Sequence, residues 1–199
     1  MVQPEIDMKM RILLAAKSLF AKYGYEGTSV RKICEEAGAN IALVSYYFGG
    51  KENVFLAIFE TFMPLERIDF ISQQIIEPLE AMRILVKELF NFHSLDPEVV
   101  TIIRQETMMD SPRTAIMSPY TLRVWKHLRE ILMKGKRDGI FKFESLDNTM
   151  FFVMGIVVFH RHSIVFEEIL EEGEQNIAKY TQEAYDFILR GLGTAVKEG

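Results

Sequence analysis

Cysteine is almost missing from this 199-residue sequence. Cys34 stands alone, which excludes an intrachain disulfide framework and any zinc cage built on several thiolates. Long apolar runs are missing too. Met150 to Phe159 (MFFVMGIVVF) is the longest, well short of the roughly 20 residues a helix needs to cross a bilayer, so it is expected to be buried in protein and no membrane association is expected. Met1 to Arg11 (MVQPEIDMKMR) is polar and mixed in charge, without the basic-then-apolar order of a secretory leader. Together with the lone thiol, this points to the cytoplasm. Signatures of catalysis are equally scarce: there is no phosphate-cradling glycine loop, no His-Glu-x-x-His and no serine elbow between glycines. His160 and His162 are two residues apart, which places them on different sides of a helix and argues against a shared metal. No enzyme activity, cofactor or metal is expected.

An excess of positive charge is also lacking, since the chain carries a net charge of -5. That average hides an asymmetry. Residues 1–56 hold seven Lys and Arg against six Asp and Glu, a net of +1, whereas residues 57–199 hold 16 against 22, a net of -6. A polyanion met by this protein is met by its first quarter. What the sequence has in ordinary measure is apolar residues, 49% of the chain, enough for a folded core rather than a disordered polymer.

Strand signals are absent, because no alternating β-branched run lies between Asn-Gly turns, and the fold class expected is all-α. Ile12, Ala16, Leu19, Phe20 and Tyr23 recur on one helical face from about residue 8, and Gly24 supplies a stop. Thr28 and Ser29 offer capping hydroxyls to a short helix with Val30, Ile33, Cys34 and Ala37 on one side, ended by Gly38. Asn40 caps a third helix that ends near Phe48 and the Gly49-Gly50 pair. Lys51 opens a fourth with Val54, Phe55, Ile58, Phe59 and Phe62 inward, stopping near Met63-Pro64 or continuing after a kink. Pro78, Pro97, Pro112 and Pro119, each after Glu, Asp or Ser, read as first residues of helices. Further helices are expected at about 78–93, 97–109, 114–137, 147–166 and 174–195, with the acidic stretch from Glu167 to Glu174 as a solvated turn. A functional boundary falls inside the fourth helix, separating residues 1–53 from residues 54–199.

The segment from Thr28 to Phe48 carries the functional signal. Two short helices joined through Gly38-Ala39-Asn40 have the form of a helix-turn-helix, in which the second helix lies in a major groove while the first braces it. Ile33, Cys34, Ala37, Val44 and Phe48 form the wedge between them. Asn40, Ile41, Ala42, Leu43, Ser45, Tyr46, Tyr47 and Lys51 are left for solvent or DNA. Helical hairpins with a glycine are also common in plain bundles, so shape alone does not decide between DNA binding and packing.

The detailed residues do more. Ala16, Leu19, Phe20, Gly24 and Tyr25, then T-S-V-R-K-I, then AGANIALVSYYFGGKENVF, together resemble the N-terminal domain of the TetR family of transcriptional regulators over about 55 residues. The resemblance implies that Thr28 and Ser29 hydrogen-bond phosphate at a helix N-terminus. It implies that Asn40, Ile41, Ala42 and Leu43 approach base edges, that Tyr46 and Tyr47 straddle the backbone, and that Lys51 holds another phosphate. Ser45 stands where many members have an aromatic residue, and Tyr47 where many have histidine. It further implies a homodimer on a palindromic operator in double-stranded DNA, joined through the last two helices in a shared four-helix bundle. Met150 to Phe159, apolar all round, and Ile177, Tyr180, Ala184, Ile188 and Leu192 suit that bundle. Eleven methionines and fifteen phenylalanines are able to line an adaptable cavity for a small-molecule effector; the candidates are Phe59, Phe62, Met63, Phe90, His93, Met108, Trp125 and Met154. The expected function is a repressor released from its operator by an apolar or amphipathic ligand. Alternatives are a DNA-anchored interaction protein without an effector pocket, and a helical carrier with no DNA role.

Overall fold

A computed structural model describes residues 7–73, 76–159 and 176–194. Among them are ten helices and no strand: α1 (Met8–Tyr23), α2 (Val30–Ala37), α3 (Ile41–Phe48), α4 (Lys51–Phe62), α5 (Leu65–Gln73), α6 (Pro78–Leu95), α7 (Pro97–Met108), α8 (Thr114–Arg137), α9 (Leu146–Val158) and α10 (Ile177–Gly191). Chain contacts divide the molecule into two compact units, residues 1–63 with 95–122 and residues 64–94 with 123–199. The first unit therefore combines α1 to α4 with α7 and the opening of α8.

In the first unit, Ile12, Ala16, Phe20, Ile33, Val44, Val54, Phe55, Ile58 and Phe59 are buried, joined by Val99 and Ile102 of α7. Phe20, Tyr25, Phe55 and Phe59 form a chain of rings with centroids 5.1 to 5.5 Å apart, and burying each phenylalanine contributes about 1.5–3 kcal/mol. Lys17 is the exception on the buried face of α1, only 8% exposed. Its ammonium is paired with Asp96, lies 3.4 Å from Glu98 and sits 4.2 Å from the centre of the Phe62 ring. A charge this deep is held by partners, since an isolated buried ammonium is costly.

The second unit packs Ile68 of α5, Met82, Leu85 and Phe90 of α6, Leu128 and Leu132 of α8, Val153 and Val157 of α9 and Ile188 of α10. Gly135 is required there, because a Cβ would overlap the Phe141 ring. Asp69 binds Arg123 and lies 3.1 Å from Nε2 of His127, tying α5 to α8.

Several expectations are refined. The fourth helix stops at Phe62, and α5 is a separate helix after Pro64. Pro78 and Pro97 open α6 and α7, but Pro112 lies in a turn and Pro119 lies inside α8. Proline there deprives the Ala115 carbonyl of its helical donor; the Ser118 hydroxyl donates to that carbonyl instead, at 3.3 Å. The run from Met150 to Phe159 is not enclosed by its own chain, since Phe151, Phe152 and Phe159 are 63 to 70% exposed. The expected continuation to residue 166, the His160 and His162 pair and the acidic stretch from Glu167 to Glu174 lie outside the described residues.

Candidate nucleic-acid interface

The site is built by capping chemistry. The Ser29 hydroxyl accepts from the Lys32 amide at 3.2 Å and starts α2. Gly38 ends it at φ 64°, in the left-handed region, and the Ala39 amide donates back to the Cys34 carbonyl at 2.9 Å. Glycine suits this turn because the left-handed φ costs it nothing, whereas a Cβ would be strained there and would displace the Arg11 guanidinium, 2.8 Å away. Asn40 Oδ1 then accepts from the Leu43 amide at 3.0 Å and opens α3, leaving its NH2 group without a partner among the described residues.

The wedge is as expected: Ile33, Cys34, Ala37, Val44 and Phe48 are each at most 8% exposed. On α3 only Val44 and Phe48 are buried. Ile41 and Tyr46 are 58% and 81% exposed, Asn40, Ala42 and Ser45 are exposed, and Leu43 and Tyr47 are half-buried. The Tyr46 and Tyr47 rings meet edge to face at 5.1 Å. The helix thus presents short polar groups, one branched apolar side chain and two phenols, a set able to touch base edges, thymine methyls and phosphates.

Two expected phosphate ligands are engaged within the head. Thr28 is 1% exposed, and its hydroxyl donates to the carbonyls of Gly24 at 2.9 Å and Leu19 at 3.1 Å, so it closes the loop into α2 instead of facing a ligand. Lys51 is half-buried; its ammonium donates to the carbonyls of Tyr25 and Thr28, both at 2.9 Å, and sits 3.9 Å from the Tyr25 ring centre. Burial pulls its pKa below the usual lysine value. Ser29, by contrast, is exposed, and capping uses only its acceptor. The residues that sequence reasoning missed are Glu26, Glu106 and Arg113, which surround Tyr25; Arg113 is 87 residues from Glu26, and no local pattern signals such a pairing.

The effector candidates are divided between the two units. Phe59, Phe62, Met63 and Met108 belong to the first, and Phe90, His93, Trp125 and Met154 to the second. Met108 is 81% exposed at the end of α7. The second unit has a groove of about 450 Å³ along α9 and α10, lined by Phe143, Phe152, Val153, Ile156, Phe187, Ile188 and Leu192 with Ser145 and Asn148, and no expected effector residue lines it. No described helix is long and apolar enough to cross a membrane.

A capped pair of short helices, wedged together on one side and exposing the second helix on the other, defines a helix-turn-helix DNA-binding head. Comparison with known proteins makes the class specific. Residues 12–58 match the model of the bacterial regulatory proteins of the tetR family, and residues 78–171 match the tetracyclin repressor-like C-terminal domain. The chain is 26% identical over 196 residues to the transcriptional repressor NicS of Pseudomonas putida, covering 91% of this chain and 90% of that one. The solved hemolysin II transcriptional regulator HlyIIR is 28% identical, with a TM-score of 0.76 over 94% of this chain and 98% of its own. A putative fatty acid metabolism regulator of Clostridium perfringens shares the fold, with a TM-score of 0.77 at 20% identity over 94% of this chain and all of that one. The chain belongs to the TetR family of DNA-binding transcriptional regulators.

Proposed function

We propose that the protein is a homodimeric repressor that reads a palindromic operator in double-stranded DNA and is released by a small apolar or amphipathic ligand. The exposure of α3 carries this reading. A helix of two turns that buries only Val44 and Phe48 leaves Asn40, Ile41, Ala42, Leu43, Ser45, Tyr46 and Tyr47 for a groove, with Ser29 on the flanking phosphate and Lys51 bracing the head from within. One such helix covers too little of the duplex to select a site, and a two-fold pair on successive major-groove faces, about 34 Å apart, is the physical remedy. The apolar surface of α9 and α10, with Phe151, Phe152 and Phe187 63 to 70% exposed, supports a second copy as its cover and a four-helix bundle as the joint.

Release requires a ligand that prefers one arrangement of the two heads, and a 100-fold fall in affinity corresponds to about 2.7 kcal/mol of differential binding. Phe90, His93, Trp125 and Met154 remain the candidates to hold it. Binding of a duplex selected from a randomised pool, followed by fluorescence anisotropy at rising salt, tests the reading. A specific complex that weakens steeply with salt, and is released by members of an amphiphile panel that also raise the Tm, is expected. Absence of any specific duplex would overturn it. A DNA-anchored protein without effector predicts the same complex, with no member of the panel altering Tm or release.

A further inference from the structure

We propose that Arg113, far outside the helix-turn-helix, is a positioning residue for DNA binding that sets the head through Tyr25 and Lys51. The inference rests on the DNA-binding reading above. Arg113 is delivered by a shaped turn: Asp110 adopts φ 46°, the buried Ser111 hydroxyl is bonded to the Glu106 carboxylate, and Ser111 Oγ accepts from the Arg113 amide at 3.2 Å. The guanidinium then makes three contacts. Nε donates to Glu106 at 2.9 Å, Nη1 donates to Glu26 at 2.8 Å, and its carbon lies 4.4 Å from the centre of the Tyr25 ring. Lys51 is placed against the same ring, and its ammonium holds the carbonyls of Tyr25 and Thr28.

Two cations and the carboxylates of Glu26, Glu52 and Glu106 therefore gather around one phenol. The position of this cluster along the chain gives it a role. Tyr25 to Thr28 lead directly into α2, and Lys51 follows α3 across the Gly49-Gly50 pair, so one cluster grips the helix-turn-helix at both of its ends. With the Arg113 side chain 14% exposed and the Glu106 side chain 4% exposed, the guanidinium has its edges on protein carboxylates and its face on a ring. It fixes the reading helix without touching DNA. Arginine suits this task because a planar fork stacks and bridges at once, which an ammonium does not.

The test uses the full chain and a duplex that the wild type selects from a randomised pool. Arg113→Gln is expected to weaken binding about tenfold, Glu26→Gln about threefold, and Arg113→Lys to recover part of the loss. The slope of affinity against salt is expected to stay unchanged, because no phosphate contact is removed. Amide exchange is expected to quicken at residues 25–29 and 50–54 while α6 keeps its protection. Wild-type affinity in both glutamine variants would overturn the proposal. So would a salt slope reduced by about one, which marks a direct phosphate contact, or exchange quickened evenly across the first unit, which marks plain loss of stability. Should Arg113→Gln fail to fold, Glu26→Gln, whose side chain is 75% exposed, decides by the same readings. A wild type that selects no duplex overturns the DNA reading itself, whereas variants that match a binding wild type overturn only this inference.

Discussion

α3 and α9 are both short helices that leave large side chains in solvent, and they leave different ones. On α3, Ile41 and Tyr46 are exposed beside Asn40, Ala42 and Ser45; on α9, Phe151 and Phe152 are exposed beside Gly155, with Phe159 at its cap. Phenols and amides retain hydrogen-bonding capacity against a polyanion, whereas phenyl rings gain only by removal from water. Exposure by itself is a poor guide to partner. Its chemistry separates a surface for nucleic acid from a surface for another apolar face.

The largest effect that would test this contrast is on α9. Phe152→Glu places a charge where a second copy is proposed to pack, and we expect dissociation into single chains and a fall of at least 100-fold in duplex affinity, about 2.7 kcal/mol or more. Sedimentation beside anisotropy measures both; a variant that stays dimeric and bound would break the contrast. On α3, Tyr46→Ala is expected to leave Tm within a degree or two, since the ring is 81% exposed, yet to weaken specific binding by about 1–2 kcal/mol. The neighbouring threonine and serine sharpen the same division. Thr28→Val is expected to cost about 1–2 kcal/mol of stability, as two carbonyls lose a donor, with unchanged affinity per folded molecule. Ser29→Ala is expected to cost about 1 kcal/mol of cap energy and to weaken every duplex alike with the salt slope unchanged, because a neutral hydroxyl displaces no counterion.

Smaller effects follow from burial in the head. Burial, and then the charge of Glu52, raises the Tyr25 phenol above its ordinary pKa. The native state therefore keeps this proton where the unfolded chain has lost it, so its contribution to stability is full below about pH 10 and declines as pH rises from there. Tyr25→Phe should flatten that part of the stability curve, while Tyr120 and Tyr185, also raised by burial, keep their own contributions. Burial likewise raises the Cys34 thiol, and thiol titration at neutral pH is expected to be slow until the protein is unfolded.

The helical class, the caps at Ser29, Gly38 and Asn40 and the five-residue wedge were all legible in the sequence, because caps and helical periodicity act within a few residues. Thr28 and Lys51 show where such reading ends. Both occupy positions in the TetR-like pattern, yet their polar atoms are engaged by carbonyls that only the folded loop brings near. Arg113 was invisible for the same reason, its partners being distant in sequence. The effector residues were the hardest: methionine and phenylalanine at helical spacing look alike whether they line a cavity, fill a core as Phe55 does, or stand in solvent as Met108 does.

Two reading helices are proposed to engage one duplex together, and a hydroxyl-radical and methylation footprint of the selected duplex tests this most directly. Two protected major-groove segments centred about one helical turn apart, roughly 34 Å, and related by a two-fold axis are predicted. A single protected segment, or uniform protection along the duplex, would contradict it.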